Sequence, residues 1–221
     1  MTQGYFVTGT DTGIGKTWST VALMQYFKNQ GKTVLGMKPV ASGCDENEGV
    51  LKNADALLLQ KHASVAVPYQ DINPYAFALP VSPHIAAEKS GVEIELDIIM
   101  AKYQQLEGQA DVVLVEGVGG WMVPLSPRQY VADLAQRMGL PIIIVVGMRL
   151  GCINQAKLTF AAINQSGLKC LGWIASCVER DMLMLDENIQ TLRQSTELPL
   201  LAVFPYLDTL DPECLSQYIS S

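Results

Sequence analysis

The chain has 221 residues, of which 49% are hydrophobic and 17% are charged, and its formal net charge is −7. This length and composition exclude a disordered chain and predict one globular domain over residues 1–221. The acidic balance excludes a nucleic-acid-binding protein, because the neutralisation of phosphates requires clustered lysine and arginine side chains.

The N-terminal sequence MTQGYFVTG lacks the basic region and the long apolar region of a secretory signal. The strongest apolar run, residues 142–146, is too short to span a bilayer. We therefore predict a cytoplasmic protein without a membrane segment.

Short runs rich in valine and isoleucine alternate with stretches of helical periodicity. This alternation predicts an α/β fold, with a mostly parallel sheet covered by helices on both faces. Strands are predicted at 5–8, 34–38, 112–115, 142–146, 171–175 and 200–203. Helices are predicted at 16–29, 54–61, 94–105, 130–138, 154–165 and 186–194. Pro74, Pro80 and Pro83 indicate an irregular excursion between the second and third strands.

The first candidate site is GTDTGIGKT, residues 9–17, between the first strand and the first helix. Backbone N–H groups of such a loop bind phosphate oxygens, Lys16 reaches the β and γ phosphates, and the Thr17 hydroxyl can bind Mg²⁺. The loop has one residue more between Gly9 and Gly15 than the usual P-loop. The alternative is a glycine-rich turn before an ordinary helix, but the flanking strand and helix favour phosphate binding.

The second candidate site is MKPVASG, residues 37–43, at the end of the second predicted strand. A lysine beside a P-loop can stabilise the charge that develops during phosphoryl transfer, so Lys38 is a candidate catalytic residue. Pro39 stiffens the turn that presents Ser42. The alternative for Lys38 is a solvent-exposed lysine at a strand end.

The third candidate site combines Asp55 with Glu116, which ends the apolar run DVVLVEG. Mg²⁺ on a nucleotide binds one or two carboxylates, a P-loop hydroxyl and waters. A charge at the end of such a run requires a partner, which favours a functional Glu116. The alternative for Asp55 is an acid stabilised by a helix dipole.

The fourth candidate site is VVGMRLGCINQA, residues 145–156, where a strand leads into a helix that begins near a glycine. Free N–H groups at that helix start could bind a substrate carboxylate. The alternative is an ordinary strand-to-helix connection, which the spacing alone favours. His62 and His84 are the only histidines, so the sequence offers no histidine-based triad or metal cluster.

Taken together, GTDTGIGKT, KPVASG, NADA, NPYAF, SPH, VEGVGGW, VVGMRLGCIN and GWIAS resemble the motifs of dethiobiotin synthetases. The resemblance covers residues 5–207. It implies a P-loop NTPase fold and a homodimer with the site at its interface. It also implies the conversion of 7,8-diaminononanoate, CO₂ and ATP into dethiobiotin, ADP and phosphate, through a carbamate and a carbamic-phosphoric anhydride.

The resemblance also implies the roles of individual residues. Lys38 and Lys16 are the implied catalytic residues, and Thr17, Asp55 and Glu116 are the implied Mg²⁺ ligands. The implied nucleotide-binding residues are Gly13, Ile14, Gly15, Lys16, Thr17, Trp18, Asp55, Glu116, Gly117, Val118, Gly119, Ser176, Cys177, Pro205, Tyr206 and Leu207. The implied contacts to the diamine are Thr12, Ser42, Gly119, Leu150, Gly151, Cys152 and Asn154.

Two positions depart from the motifs of the family. The P-loop has Gly13 where many relatives have glutamate, and the segment GWIASC has Ser176 and Cys177 where many have asparagine and aspartate. An asparagine amide can pair with adenine through two hydrogen bonds, whereas a serine hydroxyl cannot. The sequence therefore predicts weaker selection of the base.

Two other functions are compatible with a P-loop. One is a related amidoligase, against which the absence of a glutaminase segment in the sequence argues. The other is a ParA-like switch ATPase, which carries an additional lysine early in the loop, whereas residues 9–12 contain none.

Overall fold

A computed structural model describes residues 2–47 and 49–219 of the chain. Its centre is a six-stranded sheet in which all the neighbouring strands are parallel. The order across the sheet is β10 (Leu200–Phe204), β9 (Cys170–Cys177), β8 (Ile142–Met148), β1 (Gln3–Gly9), β7 (Val112–Glu116) and β2 (Val34–Met37). Both β7 and β8 are buried along their whole length, as expected for strands covered on both faces.

Helices cover both faces of this sheet, as the sequence predicts. On one face, apolar side chains of the sheet pack against α1 (Lys16–Asn29) and α9 (Pro212–Ser216). On the other face they pack against α5 (Leu96–Glu107), α6 (Val131–Met138), α7 (Cys152–Gln165) and α8 (Leu185–Gln194). None of the described helices is both long enough and apolar enough to cross a membrane.

The predicted helices at 16–29 and 54–61 have the observed bounds, the second being α2 (Ala54–Lys61). The predicted helix starts at 130 and 186 are each one residue from those observed, and two others were wrong by two residues. Glu95 is extended, with its N–H donating to the Tyr75 hydroxyl at 3.0 Å, so α5 begins after the predicted residue 94. Gly151 has the left-handed conformation with φ 91°, which lets α7 begin at Cys152 rather than at 154.

The excursion between β2 and β7 is more regular than predicted. It contains the parallel pair β3 (Val40–Ser42) and β6 (Tyr75–Phe77), and the hairpin β4 (Asp45–Asn47) with β5 (Val50–Lys52). It also contains α3 (Tyr69–Ile72) and α4 (Pro83–Lys89). Pro83 does not interrupt regular structure, because it occupies the first turn of α4, where its missing N–H costs nothing. The Pro39 turn that was expected to present Ser42 is followed directly by β3, which ends at Ser42.

Candidate active site

A cavity of about 740 Å³ lies at the carboxyl ends of the central strands. Its volume is within the usual range for a small-molecule site, and parallel α/β sheets bind ligands at this edge. The P-loop forms its floor, the segment after β2 and the excursion form one wall, and the ends of β9 and β10 form the other. Every segment predicted to contact the nucleotide or the diamine, except residues 150–154, therefore contributes to one cavity.

The P-loop lies directly on the sheet because Gly147 of β8 has no side chain. A Cβ atom there would approach Ile14 Cγ2 to 2.6 Å, and Ile14 is fully buried. Gly15 has φ 81°, a left-handed conformation that costs glycine little and that turns the loop into α1. The N-terminus of this helix therefore faces the cavity, which favours the binding of an anion.

Lys16 is buried at the base of the P-loop. Its Nζ donates to the carbonyl oxygen of Asp11 at 2.5 Å. The pKa of Lys16 is lowered to about 8, chiefly by burial and secondarily by the ammonium of Lys38, while neighbouring carboxylates oppose the shift. A bound phosphate would favour the charged form of Lys16, because opposite charges at short range raise a lysine pKa.

Lys38, Glu116 and Thr17 form a buried cluster in the cavity, and the partly exposed Asp55 joins it through Lys38. Lys38 Nζ donates to Glu116 Oε1 at 2.5 Å and to Asp55 Oδ2 at 3.0 Å, and Thr17 Oγ1 donates to Glu116 Oε1 at 2.8 Å. Lys38 is only 4% exposed, which contradicts the alternative of a solvated lysine. Burial alone would lower the pKa of Lys38, but the two carboxylates outweigh it, so this pKa is raised and the ammonium is charged.

Two asparagines that the sequence analysis missed position this cluster. The Asn53 side chain accepts hydrogen bonds from the N–H groups of Asp55 and Ala56, at 3.0 and 3.3 Å, and so caps α2. Asn73 Nδ2 donates to the carbonyl oxygen of Lys38 at 2.7 Å. The capping role of Asn53 could have been found in the sequence, because asparagine directly precedes an apolar helical run.

Only one of the two carboxylate oxygens of Glu116 has hydrogen-bond partners among the residues that the structure describes. Its Oε1 accepts from Lys38 and Thr17, whereas its Oε2 is buried and has no hydrogen-bond partner among them. The pKa of Asp55 is lowered, since the charge of Lys38 and its hydrogen bond outweigh the effect of burial, so this second carboxylate is ionised. No group of three or more histidine, cysteine or acidic side chains that could hold a metal occurs within the described residues.

Apolar side chains contribute much of the lining at the opposite end of the cavity. Ser176 and Cys177 end β9 there, and Pro205, Tyr206 and Leu207 follow β10. The sequence analysis did not identify Phe204 of β10 and Leu215 of α9, which line the same end. This arrangement of one polar side chain with apolar ones suits the faces of a planar ring.

Comparison with known proteins decides the family. A family model described as an AAA domain matches residues 3–214. The ATP-dependent dethiobiotin synthetase BioD of Nitrosospira multiformis is 44% identical over 219 residues, covering 99% of this chain and 95% of that protein. The protein of that name from Aromatoleum aromaticum is 48% identical over 95% of this chain and 93% of its own length. This chain belongs to the ATP-dependent dethiobiotin synthetase family.

Solved structures confirm the P-loop fold at much lower identity. The septum site-determining protein MinD of Pyrococcus horikoshii, complexed with Mg-ADP, has a TM-score of 0.58 and 18% identity, covering 99% of this chain and 87% of that one. A ParA family ATPase of Chlorobium tepidum has a TM-score of 0.58 and 12% identity, covering 94% of this chain and 86% of that one. These likenesses show the fold alone.

The residues that the dethiobiotin synthetase motifs imply are distributed unevenly around the cavity. All the implied nucleotide-binding residues line it except Gly117, whose carbonyl oxygen accepts from Lys38 Nζ at 3.5 Å. Thr12, Ser42 and Gly119, three of the implied diamine contacts, also line it. The wall beside Ser42 is completed by residues 80–83, which contain the start of the SPH motif and were not among the predicted site residues.

The remaining implied diamine contacts, residues 150–152 and 154, do not line the cavity of a single chain. Leu150 is 97% exposed, and Asn154 is exposed on α7. Cys152 is fully buried, with its Sγ 3.8 Å from Asn188 Oδ1, so its side chain faces away from any ligand. Of Cys152, therefore, only the backbone is available to a ligand, whereas the side chains of Leu150 and Asn154 face away from the cavity of their own chain.

Proposed function

We propose that this protein closes the ureido ring of dethiobiotin from 7,8-diaminononanoate and CO₂, using ATP. Membership of the dethiobiotin synthetase family supports the reaction. The observation that carries the proposal for the site is the cluster beside the P-loop in which the buried Lys38, Glu116 and Thr17 are joined by the partly exposed Asp55. It combines the cation and the oxygen ligands that transfer of the γ-phosphoryl group requires.

In this proposal Mg²⁺ is held by Thr17, Asp55 and Glu116. The donor set fits, because the buried and unpartnered Oε2 of Glu116 offers a hard oxygen beside the Thr17 hydroxyl and within the part of the chain that the structure describes. Mg²⁺ usually retains several waters, so two carboxylates and one hydroxyl suffice. Bound there, Mg²⁺ would supply positive charge that stabilises the negative charge of the transferring phosphoryl group.

The chemistry requires no nucleophilic side chain. One amine of the diamine adds to CO₂ and loses a proton, which forms a carbamate. A carbamate oxygen attacks the γ-phosphorus and ADP leaves, which forms the carbamic-phosphoric anhydride. The second amine attacks the carbamate carbon, and phosphate and a proton leave as the ring closes. Lys16 and Lys38 stabilise the charge on the phosphoryl oxygens, and the walls of the cavity hold the reactants in contact.

The direct test is to measure ADP release with and without diaminononanoate and bicarbonate, while dethiobiotin is quantified by mass spectrometry. We expect one ADP for each dethiobiotin and little ADP release when either substrate is omitted. ADP release that is indifferent to both substrates would instead favour the switch-ATPase function. An amide product formed with added ammonia would favour the amidoligase.

Base selection provides a prediction that is specific to this chain. Ser176 stands where an asparagine amide could pair twice with adenine, and one such pair contributes about 1 to 3 kcal/mol of discrimination. We therefore expect Ser176→Asn to raise the preference for ATP over CTP or GTP by roughly 5- to 150-fold. The measurement is kcat/KM for the three nucleotides at saturating diamine. A strong ATP preference in the native chain that Ser176→Asn leaves unchanged would show that another group selects the base.

We further propose that the protein is a homodimer in which residues 150–154 complete the substrate site of the partner subunit. Three large apolar side chains, Leu150, Leu183 and Met184, lie near the start of α7, where Cys152 contacts Asn188 of α8. Leu183 is 84% exposed, and Met184 has a left-handed backbone with φ 53°, which is rare for a non-glycine residue. Such exposed apolar surface is costly in a monomer and is typical of an interface.

Leu150→Asp is expected to weaken this dimer, because it places a charge in an apolar contact. Sedimentation velocity should give a dimer dissociation constant at least about tenfold higher than that of the native protein. The KM for the diamine should also rise. Ile98→Asp, a matched change at an exposed residue of α5, should leave both unchanged. A Leu150→Asp protein that remains dimeric and fully active would contradict this interface.

A further inference from the structure

Asp11 of the P-loop is bound from outside the loop by residues that flank the 150–154 segment. Its Oδ2 accepts from Arg149 Nη2 at 2.5 Å and from Gln155 Nε2 at 3.1 Å. Arg149 directly follows β8, and Gln155 lies in the first turn of α7. The side chain of Asp11 therefore joins the P-loop to both ends of this segment.

The backbone of the same residue contacts the lysine of the P-loop. The carbonyl oxygen of Asp11 accepts from Lys16 Nζ at 2.5 Å, while Asp11 Oδ1 accepts from the N–H of Thr12 at 2.8 Å. The second bond fixes the side chain against the backbone of the loop. The carboxylate that Arg149 and Gln155 hold and the carbonyl group that accepts from Lys16 thus belong to the same residue.

The contacts of Asp11 differ from an ordinary surface ion pair. The Arg149 and Asp11 side chains are 32% and 40% exposed, whereas those of Arg137 and Asp97, a pair elsewhere on the surface, are 56% and 78% exposed. Only the Nε2 of Gln155 can donate to a carboxylate, which leaves its Oε1 as a buried acceptor. Within residues 2–47 and 49–219 neither this Oε1 nor the buried Thr10 Oγ1 has a hydrogen-bond partner. Buried polar groups without partners are uncommon and require an explanation.

We infer that Asp11, Arg149 and Gln155 are positioning residues that couple binding of the diamine to binding of the nucleotide. The inference rests on the proposed function, in which Lys16 binds phosphate in its own subunit and residues 150–154 contact the diamine in the site of the partner subunit, so the coupling runs between the two sites of the dimer. A phosphate that accepts from Lys16 would share its ammonium group with the carbonyl oxygen of Asp11. A ligand on residues 150–154 would act next to Arg149 and Gln155, which hold the carboxylate of Asp11. Both ligands therefore act on the same residue, which is the condition for energetic coupling between two sites.

The test measures the affinity of the β,γ-methylene analogue of ATP with Mg²⁺, in the presence and absence of saturating diaminononanoate. The variants are Arg149→Met, Asp11→Asn, the double variant and Arg149→Lys, and the matched control is Arg137→Met. In the native protein the diamine is expected to tighten binding of the analogue by about tenfold, within the usual range for coupled sites. In Arg149→Met this factor should fall to within about twofold of unity, while affinity for the analogue alone changes by less than about threefold.

The double variant should lose no more coupling than either single variant, because the two residues act through one contact. Arg149→Lys, which keeps the charge, should retain most of the coupling, and Arg137→Met should retain all of it. The inference is overturned if the diamine tightens analogue binding in Arg149→Met by the same factor as in the native protein. It is also overturned if Arg149→Met weakens analogue binding equally with and without the diamine. The inference also fails if the native protein forms dethiobiotin but the diamine does not change its affinity for the analogue. If the native protein forms no dethiobiotin, the proposed function itself is refuted.

Discussion

Lys38→Ala is expected to lower kcat by about a thousandfold while changing the KM for the diamine by less than about threefold. The ammonium of Lys38 is buried beside the proposed metal ligands, so its charge acts in a medium where water does not screen it. Such a charge contributes most when the phosphoryl group is in transfer, and its loss therefore affects turnover more than binding.

The loss of Lys38 also removes the cation that neutralises Glu116, and breaking a buried ion pair costs about 3 to 5 kcal/mol of stability. Kinetics should therefore be accompanied by thermal unfolding, and Lys38→Arg, which retains the charge, serves as the matched variant. We expect Lys38→Arg to be folded as stably as the native protein or nearly so, with partial activity. A change in the KM for the diamine alone, at unchanged kcat, would make Lys38 a binding residue and contradict its catalytic role.

Glu116→Gln is expected to raise the Mg²⁺ concentration required for half-maximal activity by about 100-fold, because a neutral amide is a far weaker ligand for a hard cation. The fold should be retained. A glutamine Oε1 can still accept from Lys38 and Thr17, and its amide nitrogen replaces the oxygen that has no hydrogen-bond partner among the described residues.

The measurement for Glu116→Gln is a Mg²⁺ titration of activity at fixed ATP. Glu213→Gln is the control, since Glu213 is paired with Gln25 on the surface between α9 and α1. The activity of Glu213→Gln should depend on Mg²⁺ concentration as that of the native protein does. Unchanged activity of Glu116→Gln at limiting Mg²⁺ would exclude Glu116 from the metal site.

The sequence by itself determined the elements whose signals are local. The six central strands are short apolar runs, and α1 and α2 are predicted with their observed bounds. The P-loop was also predictable, because its glycines and lysine act within one strand-to-helix turn. In each case the residues that decide the structure lie within a few positions of one another, so periodicity and turn chemistry report them directly.

Only the tertiary structure decided what the polar residues contact. Lys38 and Glu116 are 78 positions apart, and Arg149 and Asp11 are 138 apart, so no local pattern indicates that they pair. The short strands β3 and β6 likewise exist because each pairs with the other, 35 residues away, and not because of an apolar run. The sequence motif implies that Leu150 contacts the substrate, yet Leu150 lies outside the cavity of its own chain, because the turn at Gly151 directs it to the surface. Such contacts depend on how the sheet orders its strands, and that order is a property of the whole chain.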